Sequence, residues 1–119
     1  MTIKVQVSDD FPAAPLNMTQ TVTAAGTTTI LAGTQLVVFN KSVQSDSPCQ
    51  LPAGSNGMEI RFYDNTGLAG DISAIPNGTD KIMGVNASRV VGSSGGSAGT
   101  GATATLTYYS SVLGWVVQS

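Results

Sequence analysis

Nowhere in this sequence do apolar residues recur at i, i+3, i+4 and i+7 through three capped turns, so the α-helix is removed as a building unit. What recurs instead is punctuation. From Met18 onward, short runs rich in Thr, Val, Ile and aromatic residues are broken by Gly, Pro or Asn-Gly at about 8–12-residue spacing, the signature of many short strands. "MTQTVT" and "TTTIL" flank Ala24, Ala25 and Gly26, and "TQLVVFN" is apolar enough to be buried on both faces. "MEIRFYD" alternates strictly between apolar and polar. It sits between a turn region at Pro52, Gly54, Asn56 and Gly57 and another at Asp64-Asn65-Thr66-Gly67. "DISAIP", "DKIMG" and "ASRVV" follow, with Pro76-Asn77-Gly78 the strongest turn signal. "ATATLTYYS" and "SVLGWVVQS" close the chain. The fold class is therefore all-β: a compact sandwich or barrel-like domain of many short antiparallel strands.

Two segments stand apart. Residues 1–17 open with alternation at Ile3, Val5 and Val7, then pass Asp9, Asp10 and Phe11 and meet Pro12 and Pro15. Two prolines so close favour an extended connection, so the chain divides into an N-terminal arm (1–17) and a β-domain (18–119). Residues 92–101, "GSSGGSAGTG", read as a flexible loop by composition.

Charge constrains function more than hydrophobicity does. Hydrophobic content is an ordinary 41%, but only 10% of residues are charged, against about 25% in a typical soluble domain. A surface of Ser, Thr, Asn, Gln and Gly with a formal net charge of −2 repels its neighbours weakly. Such a surface suits a protein packed against its own copies or against a larger array. The basic residues Lys4, Lys41, Arg61, Lys81 and Arg89 are scattered singly, which argues against nucleic acid. No apolar run approaches membrane-spanning length and no basic amphipathic stretch is present, so no membrane partner is expected. Cys49 is the single cysteine and has no disulfide partner within the chain; it reads as a small buried hydrophobe. With no leader pattern at the start, synthesis in a cytoplasm is the expectation.

The inventory of reactive groups is short. The chain has no histidine, which removes Ser-His-Asp and Cys-His catalysis and histidine-based zinc sites. Among the carboxylates, Asp64 and Asp80 read as turn residues bonding local amides, and Glu59 and Arg61 share one strand face as a surface charge pair. Asp71 completes the set of carboxylates weighed for a glycosidase pair, and acid–base catalysis is not expected from them. EF-hand spacing is absent, and "GTGATA" is followed by neither a helix nor Lys-Ser/Thr. An enzyme is not expected, nor a cofactor or metal. Tyr108 and Tyr109 are adjacent on a strand, so only one can face the core. Trp115 reads as a core anchor whose indole N–H reaches a backbone carbonyl.

The order of these features resembles a bacteriophage virion β-domain family. "LPAGSNGMEIRFYDNTGLAG" matches its Leu-Pro turn, glycine, strand and Asp-x-x-Gly-x-Ala turn. "ISAIPNGTDKIMG" is similar to its Ile-x-Ile-x-Pro-x-Gly-x-Asp-x-Ile-x-Gly pattern, and "TLTYYSSVLGWVVQS" to its closing hairpin with Gly-Trp. The resemblance runs over residues 43–119; the arm lies outside it, and the loop at 92–101 is longer and richer in glycine than the pattern. It implies a small β-domain of tail fibres, tail spikes or head-decorating proteins, usually a homotrimer.

Together these readings give an expectation: a phage capsid decoration (cement) protein on the capsid exterior, made in the host cytoplasm. Its partners would be the major capsid protein and its own copies. The arm would be the anchor, through Ile3, Val5, Val7 and Phe11, adding a strand to a sheet edge of the capsid protein. The alternative is a tail-fibre or baseplate domain that binds a host surface glycan through Tyr63, Tyr108, Tyr109 and Trp115. A depolymerase is the remaining class, and the inventory speaks against it.

Overall fold

The computed structural model describes residues 18–93 and 103–118. The arm, with Ile3, Val5, Val7 and Phe11, lies outside the described residues, as do residues 94–102; of the loop expected at 92–101, Gly92 and Ser93 belong instead to a strand. Among the described residues there is no helix, and the all-β class is borne out. The strands are β1 (Met18–Val22), β2 (Thr28–Thr29), β3 (Thr34–Phe39), β4 (Ser47–Gln50), β5 (Glu59–Asp64), β6 (Asp71–Ile75), β7 (Arg89–Ser93), β8 (Thr103–Ser110) and β9 (Gly114–Gln118). They form a five-stranded sheet in the order β1-β3-β5-β8-β9 and a four-stranded sheet in the order β2-β4-β6-β7. Inward residues of both sheets make one core, as in a sandwich.

Strand direction is mixed where antiparallel strands were expected. β1–β3, β3–β5, β2–β4 and β4–β6 pair in parallel, and β5–β8, β6–β7 and β8–β9 pair antiparallel. The cause is the route of the chain. From β1 to β6 each strand is followed by one in the other sheet, so the chain winds as a flattened coil and returns to each sheet in the same direction. The turn regions before and after β5 are corners of this coil, whereas the closing hairpin joins β8 to β9 as expected and Pro76-Asn77-Gly78 lies between the paired β6 and β7. Only the last strands fold back as neighbours.

Alternation decides which side chains enter. In β5, Ile60, Phe62 and Asp64 are buried while Glu59, Arg61 and Tyr63 are exposed. β3 does not match its apolar look: Val37 and Phe39 are fully buried, but Leu36 and Val38 are half-buried on the outer face. Register then stacks the inward residues across the sheet, Val37 beside Phe62 beside Ala104, and Ile60 beside Leu106. Phe39 and Phe62 meet at 6.0 Å between ring centroids, and Tyr108 sits edge-on to Trp115 at 5.3 Å and 79°.

The outer edge of β9 is covered by the segment that reads "DKIMG". Trp115 donates its N–H to Lys81 O (2.8 Å), Met83 donates to Trp115 O (2.8 Å) and Gly84 to Leu113 O (2.9 Å). Beyond them, the Val117 N–H points at Met83 Sδ, 3.5 Å away. The edge is thereby closed to further strand pairing over most of its length. This close approach requires glycine at position 114. Its φ is +71°, and a Cβ there would stand 1.8 Å from Lys81 O. Replacing Gly114 with alanine should destabilise the domain by about 3 kcal/mol through backbone strain and the forced withdrawal of residue 81. The check is a urea titration, where the midpoint should fall with the slope unchanged.

Candidate interaction surface

The outer face of the five-stranded sheet carries the groups available to a partner. Register sets them in rows: Thr19, Leu36, Arg61, Thr105 and Gln118 stand side by side across the five strands. A second row runs Thr21, Val38, Tyr63 and Thr103, and on the other side of the first lie Glu59, Thr107 and Val116. Among these rows the charges are Glu59 and Arg61, two positions apart on β5 as expected. Leu36, Arg61, Tyr63, Thr103 and Thr105, with Phe62 and Ala104, line a shallow groove of about 460 Å³. It offers one phenol ring, one guanidinium and threonine hydroxyls, a set able to pack against protein or to bond a polar ligand. Among the described residues no group of three His, Cys, Asp or Glu is close enough to hold a metal ion.

The four aromatics considered for glycan binding do not form one platform. Tyr63 is 40% exposed in the groove, and Tyr109 is 67% exposed. Tyr63 faces Thr103 at the start of β8, while Tyr109 lies near its end, about 20 Å away at ordinary strand rise. Tyr108 and Trp115 are buried in the core, pressed edge to face, so the adjacent tyrosines do face opposite sides. Trp115 is the anchor that the sequence suggested, but its indole Nε1 is buried and finds no acceptor among the described residues, contrary to expectation. Packing against the Tyr108 ring holds it. That ring also lies over Gly54, where a Cβ would fall 2.1 Å from Tyr108 Cδ1.

The carboxylates have structural work. Asp64 is fully buried, and its two oxygens accept the N–H groups of Gly67 (3.0 Å) and Ala69 (3.2 Å), the local bonding predicted for "DNTG". Asp80 departs from its prediction: Oδ2 accepts the N–H of Gly54 at 2.9 Å, a residue 26 positions away. The Asp80 carboxylate thus ties the 76–80 turn to the corner before β5.

Lys41 is the residue that sequence reasoning missed. It is 1% exposed, and its ammonium donates to Ser45 O (3.1 Å), Ser45 Oγ (2.9 Å) and Asp46 O (3.1 Å). Three donors meet three acceptors, so the loop is wound around its own lysine. The available signal was Ser45 and Asp46 following within five residues, a spacing that lets the long stem curl back. Burial lowers the Lys41 pKa, with Cys49, Asp46 and Asp64 opposing. Cys49, also fully buried, has its thiol pushed up to about 12 by burial, with Lys41 opposing.

No protein-family model matches this chain, and no curated protein matches it.

Two outcomes follow for this interior. Lys41→Met should cost about 1–3 kcal/mol, because three part-buried hydrogen bonds that hold the 41–46 loop are lost together; chemical denaturation measures it. The Cys49 thiol keeps its proton in the fold up to about pH 12, whereas the unfolded thiol ionises near its ordinary 9.0. The folded state therefore binds more protons across that window, and this contribution to stability is complete below pH 9.0 and is lost as pH rises toward about 12. The lowered Lys41 acts with the opposite sign between its folded value and 10.5. Comparing wild type with Cys49→Ala isolates the thiol: its share should shrink by about 1.4 kcal/mol per pH unit above the ordinary thiol value.

Proposed function

We propose that this protein is a phage virion structural protein, a capsid decoration (cement) protein that binds the major capsid protein on the head exterior as a homotrimer. The observation that carries the reading is the outer face of the five-stranded sheet. Its rows of threonine, valine and leucine hold few charges, so a copy or a capsid subunit packs there with little desolvation of ions. The resemblance over residues 43–119 supports the virion setting and the trimer, and the alternation at Ile3, Val5 and Val7 supports an arm that adds a strand to its partner. On this reading the chain is neither an enzyme nor a nucleic-acid or membrane binder.

A second reading has its own observation. The groove places the exposed Tyr63 ring beside Arg61 and two threonine hydroxyls, a composition that suits a sugar. On that reading the domain belongs to a tail fibre or baseplate and holds a host surface glycan.

Deletion of residues 1–17 separates the two. For a decoration protein, the shortened chain still sediments as a trimer but binds empty heads more weakly by about tenfold or more. Undiminished head binding overturns the decoration reading. Inhibition of phage adsorption by free protein, abolished by Tyr63→Ala, supports the glycan reading instead.

A further inference from the structure

Two Asn-Gly steps occur in the chain, Asn56-Gly57 and Asn77-Gly78, and both asparagines are exposed. An asparagine followed by glycine is chemically labile, because the next backbone nitrogen reaches the side-chain carbonyl carbon with no Cβ in the way. The two steps differ in what occupies that nitrogen. Gly57 donates its N–H to Tyr108 O at 2.9 Å, while Tyr108 donates to Met58 O at 2.8 Å, so the first step is bound to β8. The N–H of Gly78 has no hydrogen bond among the described residues. Gly78 has φ +54° and open space where a Cβ would stand. Its turn is held by Asp80 N–H to Asn77 O (2.9 Å) and by Asn86 Nδ2 to Gly78 O (3.0 Å), neither of which engages the attacking nitrogen.

We propose that Asn77 is a site of spontaneous deamidation and isoaspartate formation, with water as co-reactant, and that pairing with β8 protects Asn56. The Gly78 amide nitrogen loses its proton and attacks Cγ of Asn77. The new N–Cγ bond closes a five-membered succinimide, the Cγ–NH2 bond breaks, and the nitrogen leaves as ammonia with the proton returned to it. Water then opens the ring at either carbonyl, giving aspartate or isoaspartate; no electrons are transferred. The product carries one added carboxylate, making the formal net charge more negative than −2. In the isoaspartate form the main chain runs through the former side-chain carbon, and the carbonyl that accepts the Asp80 N–H is displaced. Because Asp80 also holds Gly54, the change reaches the corner beneath the Tyr108 ring.

The site does not depend on which partner the domain binds. The test is incubation of the folded protein in warm, mildly alkaline buffer, followed by peptide mapping with isoaspartate detection. A parallel sample is unfolded in urea. In the folded protein the Asn77 peptide should convert faster than the Asn56 peptide by about tenfold or more, since Asn56 reacts only when its pairing opens. Unfolding should remove the difference, and Asn77→Gln should abolish the folded-state product. Equal rates at the two asparagines in the folded protein overturn the proposal. So does an Asn77 that stays intact in the fold while the unfolded chain converts.

Discussion

A chain that crosses to the opposite sheet after nearly every strand leaves main-chain groups at each corner without a ladder partner, and each one buried unpaired costs about 1–3 kcal/mol. The rest of this structure depends on how those corners are satisfied. Gln20 reaches from β1 to Thr29 O and receives the N–H of Leu31. Lys41 gathers the carbonyls of Ser45 and Asp46, and Gln50 donates to Leu51 O, Ile75 O and Pro76 O. Asp64 and Asp80 do the converse, Asp64 accepting two backbone N–H groups and Asp80 one. The corners are tied by polar side chains that reach across to their main-chain groups.

That arrangement bears on the surface. Lys41 and Asp64 are both fully buried, so a chain already poor in charge places part of it inside. The outer face of the five-stranded sheet is left with threonine, aliphatic residues, Tyr63 and Gln118, and with Glu59 and Arg61 on β5 as the charges of its rows. Exposed side chains such as Val43, Val85, Val90 and Val112 add to the same character. Surfaces of this kind gain by contact with protein, which is the physical ground of the proposed role in an assembly.

The candidate site was legible in part. Period-two alternation is a local property, so the opposite facing of Tyr108 and Tyr109 and the outward set of β5 followed from the sequence. Trp115 as an anchor followed from its size and apolar neighbours. Its unpaired indole did not, because an acceptor has to be brought by another part of the chain. Lys41 was hidden for a related reason: a lysine is ordinarily exposed, and its burial depends on a loop that turns three acceptors toward it. Asp80 looked like a local turn residue because Gly54 is distant in sequence.

By itself the sequence determined the all-β class, many of the breaks between strands, and the faces of the strictly alternating β5, since turn chemistry and alternation act over a few residues. Only the tertiary structure decided which strands pair and in which direction. The same alternating segment can hydrogen-bond to any neighbour, and a glycine-rich turn reads alike as a hairpin or as a corner between sheets. That choice was made by burying both sheets' inner faces in one core, with Phe62 between Val37 and Ala104 and with glycine at 54 and 114 where ring and backbone come closest.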